Sequence, residues 1–147
     1  MITIYKTGET GLEVMPEVVK GCWINVVDPT ADELTQLREL SVPQEFVTYP
    51  LDLDERPRVE REDGETMILL RIPVFQGANA DVPYATIPIG IVLDGQWIMT
   101  ICRQDHDVLR EFAAGRRYLG QTRGVCASSI GHRSCAGHAT RQTSTDG

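Results

Sequence analysis

From Leu51 to Cys102 the chain reads LDLDERPRVEREDGETMILLRIP (Leu51–Pro73), then after Val74 and Phe75 QGANADVP (Gln76–Pro83), then YATIPIGIVLDGQWIMTIC (Tyr84–Cys102). Two Asp-Gly pairs, Asp63-Gly64 and Asp94-Gly95, each lie between runs of β-prone residues. Asp-Gly in that setting is the strongest short-range signal for a tight hairpin. The segment therefore predicts two hairpins joined by the polar loop Gln76–Pro83. Thr66–Ile72, Ile87–Leu93 and Trp97–Cys102 are apolar at most positions on both faces. Strands of that kind need cover on both sides, and the rest of the chain is expected to supply it.

Working outward, Ile2–Lys6 reads as a first strand, Leu12–Met15 as a short second one, and CWINVV (Cys22–Val27) as a buried strand. Asp28-Pro29-Thr30 announces a helix. Thr30 with Glu33 forms a capping box, and Leu34, Leu37 and Leu40 make one apolar stripe. Ser41 is the expected N-cap of a second short helix with Pro43 in its first turn, Phe46 and Val47 facing inward, and Pro50 ending it. After Cys102, Asp105 is the expected cap of a last helix. Val108, Leu109, Phe112 and Ala113 should share its inner face, and Gly115 should stop it. This order predicts an α/β (α+β) fold: a mixed, largely antiparallel sheet flanked by helices, an αβα sandwich.

At 147 residues and 41% apolar, the chain suits one domain with a sizeable core. Its charge divides unevenly. Residues 1–115 hold 9 basic and 20 acidic residues, a net of −11, whereas residues 116–147 hold five Arg against one Asp. Residues 1–115 therefore read as the domain. Residues 116–147, rich in Gly, Ser, Thr, Ala and Arg and without periodicity, read as a low-complexity basic tail expected to be disordered. An acidic body repels phosphate backbones, which disfavours nucleic acid and favours cations as partners. No apolar run reaches the roughly 18–20 residues of a membrane span, and MITIYKTGE does not resemble a signal peptide, so a cytoplasmic location is expected. Cys22 and Cys102, inside apolar runs, read as reduced core thiols.

The first candidate site is the acidic segment Asp52, Asp54 and Glu55, followed by Glu60, Glu62, Asp63 and Glu65. Hard cations take carboxylate oxygens, and Mg²⁺ keeps several waters, so such a segment suits weak binding of hydrated Mg²⁺. It lacks the spacing of a calcium loop, and the plainer reading is a solvated turn with Arg56, Arg58 and Arg61 pairing locally. Pro57 fixes Arg56 beside the turn, where a salt bridge from Arg56 is the expected role. In the tail, Cys126, His132, Cys135 and His138 lie as C-x5-H-x2-C-x2-H, a spacing that fits no usual structural zinc pattern, and zinc is not expected. His106 is the one histidine of residues 1–115; Asp105 and Asp107 beside it read as helix-start residues. No Ser or Cys comes with a matched base, so an enzyme is not expected.

GCWINVVDPTADEL (Gly21–Leu34), LDLDERPRVERED (Leu51–Asp63) and YATIPIGIVLDGQWIMTICRQDHDVLREF (Tyr84–Phe112) resemble, in family order, the N-terminal cytoplasmic domain of CorA-type magnesium transporters. The resemblance implies a homopentameric divalent-cation transporter in full-length members, with a cytosolic domain that senses Mg²⁺ at subunit interfaces. Relatives often carry an acid near the position of Tyr49, and the corresponding role is carried over here to Asp52 or Asp54. The stalk, the membrane helices and the Gly-Met-Asn pore motif of the family are missing from this sequence. The expected function is therefore a regulatory Mg²⁺-sensing domain that does not conduct ions or contact the membrane by itself, and that forms monomers or dimers rather than pentamers. The alternative is a free-standing acidic protein-interaction module. The abrupt change of composition past residue 115 further suggests a tail read out of frame; the other frames of the coding DNA should then restore a stalk helix and two apolar spans.

Overall fold

A computed structural model describes residues 1–115. They form one seven-stranded sheet in the order β2-β1-β3-β7-β6-β5-β4. The strands are β1 (Ile2–Thr7), β2 (Leu12–Met15), β3 (Trp23–Val27), β4 (Arg58–Glu62), β5 (Glu65–Phe75), β6 (Tyr84–Leu93) and β7 (Ile98–Cys102). Only β3 and β7 run parallel, with Trp23 opposite Ile98; every other neighbouring pair is antiparallel. Three helices complete the order: α1 (Ala31–Arg38), α2 (Gln44–Thr48) and α3 (Asp107–Ala113), with a 3-10 turn, Tyr49–Leu51, after α2. The tail, its four Cys and His residues and the frame question lie outside the described residues.

Strand alternation divides the core in two. On one face, Ile24, Val26, Met67, Leu69, Val92, Met99 and Ile101 pack under Leu37 of α1 and Phe46 and Val47 of α2. On the other, Trp23, Val27, Ile89 and Cys102 pack under Leu109 of α3. The sandwich is thus helix, sheet, helix, but unequal. With seven residues, α3 covers only part of the second face. The expectation of cover on both sides consequently holds for most of Ile87–Leu93 and of β7 and fails in part: Leu70 on β5 is 42% exposed and Ile98 at the start of β7 is 40% exposed.

Local chemistry explains the turns. The β4–β5 hairpin closes through Asp63 and Gly64 alone, between the paired residues Glu62 and Glu65, and both turn residues have positive φ (51° and 93°), the mirror-image turn that matches strand twist. The second Asp-Gly behaves differently. The last β6–β7 pair is Leu93 with Ile98, so four residues make the turn, and Trp97 leaves the strand to bury its indole in the first core. Burial of a large ring outweighs the tighter register that the pair alone predicts.

At α1 the capping box is present: Thr30 Oγ1 accepts from the Glu33 N–H and Glu33 accepts from the Thr30 N–H. Glu33 also binds the N-terminal ammonium at 2.9 Å and the Ile2 N–H at 3.1 Å, tying β1 to the helix start. The Thr30 N–H first, then the ammonium, hold its carboxyl below the ordinary glutamate range. Two expected caps are corrected. Ser41 does not start α2; its φ of 60° and its N–H to Arg38 O make it the exit of α1, and Pro43 stands at the N-cap without a side-chain bond. Likewise α3 is capped by His106 rather than Asp105, which pairs instead with Arg110 at 3.5 Å. On α3, Leu109 is buried and Ala113 packs inward, while Val108 points outward and is exposed. Phe112, partly exposed, sets its ring edge-on to Trp23 at 5.1 Å. Gly115 stops the helix at φ 67°, donating its N–H to Phe112 O.

Candidate cation site and family

The acidic segment follows directly from the 3-10 turn. Pro50 is fully buried and sits against Gly90 of β6, where an added Cβ would come within 2.3 Å of Pro50 Cγ. This close approach seats the turn on the sheet and delivers Asp52 at its end. Asp52 Oδ1 accepts from the Asp54 N–H at 3.0 Å, and the Asp52 carbonyl accepts from the Glu55 N–H at 3.2 Å, so the segment folds on itself as an Asx-type turn. Asp52 and Asp54 are exposed and Glu55 is half-buried.

Three arginines hold this loop, and Arg56 is not among them. Arg71, the single charged residue within the apolar part of β5, donates from Nη1 to the carbonyls of Leu53 (2.8 Å) and Glu55 (2.9 Å) and from Nη2 to Thr86 O (2.8 Å). Arg103 donates to Leu51 O at 3.4 Å. Arg58 takes the ion-pair role expected of Arg56. It pairs with Glu55 at 2.8 Å and with Glu60, and stacks 4.5 Å above the Tyr49 ring. The reason is strand geometry: Pro57 ends the loop, Arg58 opens β4, and Glu60 two residues on points to the same face. The hydrogen bond to Glu60 first, and the ion pair with Glu55, raise the guanidinium above its usual range.

Of the three predicted ligands the structure therefore leaves two open carboxylates, Asp52 and Asp54, and places Glu55 against a cation. Among the described residues no three His, Cys, Asp or Glu side chains are grouped closely enough to grip a metal ion directly.

A second acidic group is buried. Glu65 is 8% exposed, its Oε2 has no hydrogen-bond partner, and burial first, then Asp94, Asp63 and Glu62, push its carboxyl above the ordinary glutamate range. The folded state thus holds this proton more tightly than the unfolded chain does. The contribution is fully present below the ordinary glutamate range and is lost as pH rises through the elevated value. Glu65→Gln should flatten that loss and stabilise the domain by about 1 kcal/mol at pH 8, where a buried unpaired charge is most costly; urea titrations of both proteins at pH 5 and pH 8 measure it.

Sequence comparison places these features. The profile of the CorA-like Mg²⁺ transporter proteins matches residues 20–127. The chain belongs to this family. No curated protein matches it in sequence. Among solved structures, it is similar to the complete CorA magnesium transporter of Methanocaldococcus jannaschii, with 20% identity and a TM-score of 0.62 over 76% of this chain and 35% of that one. The soluble domain of the same CorA gives 21% identity and 0.61, over 76% of this chain and 44% of that one. The cytoplasmic domain of ZntB from Vibrio parahaemolyticus gives 16% and 0.58, over 74% of this chain and 46% of that one. At these identities the likeness is one of fold. This CorA-like chain spans less than half the length of each of these structures. No helix among its described residues is long and apolar enough to cross a membrane.

Proposed function

We propose that this chain is the cytoplasmic regulatory part of a CorA-like divalent-cation transporter, and that the loop bearing Asp52 and Asp54 responds to Mg²⁺. The supporting observation is the loop itself: two exposed carboxylates on a turn fixed to the sheet by Pro50 against Gly90 and by Arg71 on two loop carbonyls. An acidic face repels its copy on a neighbouring subunit. Hydrated Mg²⁺ between the two removes that repulsion, so one arrangement of subunits is favoured when the ion is bound. Glu55 contributes by limiting Arg58: an arginine paired with Glu55 and Glu60 is not free to neutralise Asp52 or Asp54. The proposed role is regulation, without catalysis. Full-length members are expected to be pentamers; this chain alone is expected to be monomeric or dimeric, since the net charge of −11 over residues 1–115 opposes association.

Calorimetry with MgCl₂ against NaCl of equal ionic strength tests the proposal. Saturable binding on the order of 1 mM is expected, as for weak all-oxygen sites, and Asp52→Asn with Asp54→Asn should weaken it about tenfold. Heat that tracks ionic strength alone would instead support the second reading, an acidic protein-interaction module. That reading draws on the partly bare second face, where Val59, Leu70 and Ile98 are exposed.

A further inference from the structure

The last described helix is held by a histidine in an unusual position. His106 has extended backbone angles (φ −131°, ψ 138°) and stands at the N-cap of α3, a place usually taken by Ser, Thr, Asp or Asn. Its ring is buried, with 8% of the residue exposed. Nδ1 accepts from the Val108 N–H at 3.1 Å, and Nε2 lies 2.7 Å from the carbonyl oxygen of Pro73 on β5. These partners fix the tautomer. A backbone N–H can only donate, so Nδ1 carries a lone pair; a carbonyl can only accept, so Nε2 carries the hydrogen. Both bonds exist together only in the neutral ring.

We propose that His106 is a proton-operated latch: a second proton, taken at Nδ1, breaks the cap of α3 while Nε2–H stays on Pro73 O, so the first turn of α3 frays away from the ring and loosens the end of the domain through which the chain continues. Protonation turns the Nδ1 acceptor into a donor facing the Val108 N–H, so the cap bond is lost and two hydrogens oppose each other. It also puts a positive charge at the positive end of the helix dipole. Little water reaches the buried ring to compensate.

α3 is short and depends on its side-chain contacts. Seven residues do not form a stable helix without tertiary contacts, and among the described residues its attachments include the buried Leu109, Ala113, and the Phe112 ring against Trp23. Pro73 lies on a two-stranded extension of the sheet. β4 pairs with β5 only as far as Leu69 and β7 pairs with β6 only as far as Ile89, so the ribbon from Leu70 to Phe75 with its partner strand extends beyond the rest of the sheet.

The charged neighbours are already engaged. Asp105 and Asp107 flank His106 in sequence, and both are paired with Arg110. From β7, Cys102 is a neutral thiol pushed up to about 11 by burial, and Arg103 is turned to Leu51 O. On β5, Arg71 is committed to Thr86 and to the Leu53 and Glu55 carbonyls. The device consists of the ring and its two bonds alone. It is independent of the cation reading and is testable without Mg²⁺.

The test is NMR of the full chain carrying His132→Gln and His138→Gln, which leaves His106 as its one histidine. At pH 7.5 the imidazole nitrogens should report the Nε2–H tautomer. On acidification to pH 5, amide exchange from Val108 to Ala113, corrected for intrinsic rate, should accelerate about five- to tenfold, the effect of losing one cap. The Trp23 indole N–H, which donates to Thr100 Oγ1 at 2.9 Å and lies beside Phe112, should shift with the same midpoint. His106→Asn, whose amide oxygen caps without titrating, should abolish both responses. An Nδ1–H tautomer at pH 7.5, α3 exchange unchanged between pH 7.5 and 5, or a response that persists in His106→Asn would overturn the proposal. If His106→Asn does not fold, the tautomer and the exchange profile of the chain with His106 intact decide it.

Discussion

Gly90→Ala should lower stability by about 1–3 kcal/mol, the usual cost of forcing extra atoms into a packed site. In the middle of an ordinary strand the same change is mildly favourable, because alanine has less backbone freedom to lose; here the sign reverses. The new Cβ would lie 2.3 Å from Pro50 Cγ and 3.0 Å from Pro50 Cβ, and both residues are buried on the helical face of the sheet. Either β6 bends or the 3-10 turn lifts, and lifting displaces Asp52 and the acidic loop with it. Thermal melts followed by circular dichroism measure the loss, at about 4 °C per kcal/mol for a domain of this size. Adding Pro50→Ala, which removes the obstructing Cγ, should recover part of it. A Gly90→Ala protein that melts with the parent would show that the turn does not rest on β6.

Phe46→Ala should cost more, about 3–5 kcal/mol, because the ring is fully buried and its removal leaves a cavity. Phe46 is the anchor by which five-residue α2 holds to the sheet, in a cluster with Leu37, Val47, Met67 and Leu69. A loss of that size is a large fraction of the ~5–15 kcal/mol available to a small domain. The variant should therefore be partly unfolded at 37 °C. Phe112→Ala, at a ring 43% exposed on the opposite face, should cost far less. Urea titration of the two variants reads the contrast, and similar losses for both would mean that α2 is not seated as described.

The parts of the fold that sequence reveals are those governed by neighbours in the chain. Asp63-Gly64 between β-prone runs closes a two-residue hairpin, and Thr30 with Glu33 caps a helix, because both turns are decided within four residues. Where distant contacts decide, the local pattern misleads. Asp94-Gly95 alone predicts a turn as tight as the first, but burial of Trp97 draws two further residues into it. Ser41 and Asp105 carry the right chemistry for caps; the first is spent closing α1 and the second is drawn to Arg110.

The candidate site is similarly divided. The carboxylates of Asp52, Asp54 and Glu55 are visible as a cluster in sequence. The commitment of Glu55 to Arg58 and the clasp by Arg71 depend on strands that come together from far along the chain. A signal for Arg71 was nonetheless present, since one arginine inside an apolar strand must find acceptors. Glu65, directly after the turn glycine and next to an apolar run, carried the same kind of signal for a buried carboxyl. The cap bond of His106 is local, to Val108 two residues on, but the contact that seats its ring is with Pro73, thirty-three residues away, which the local sequence does not show.

Residue-resolved titration with MgCl₂, against NaCl of matched ionic strength, tests most directly whether the clasped loop receives the ion. The amides of Asp52 to Glu55 and the Arg71 side-chain N–H should move saturably with Mg²⁺, and the movement should vanish in the Asp52→Asn, Asp54→Asn protein. Shifts that follow ionic strength alone, or that gather at other carboxylates such as Asp63, Glu65 and Asp94, would contradict it.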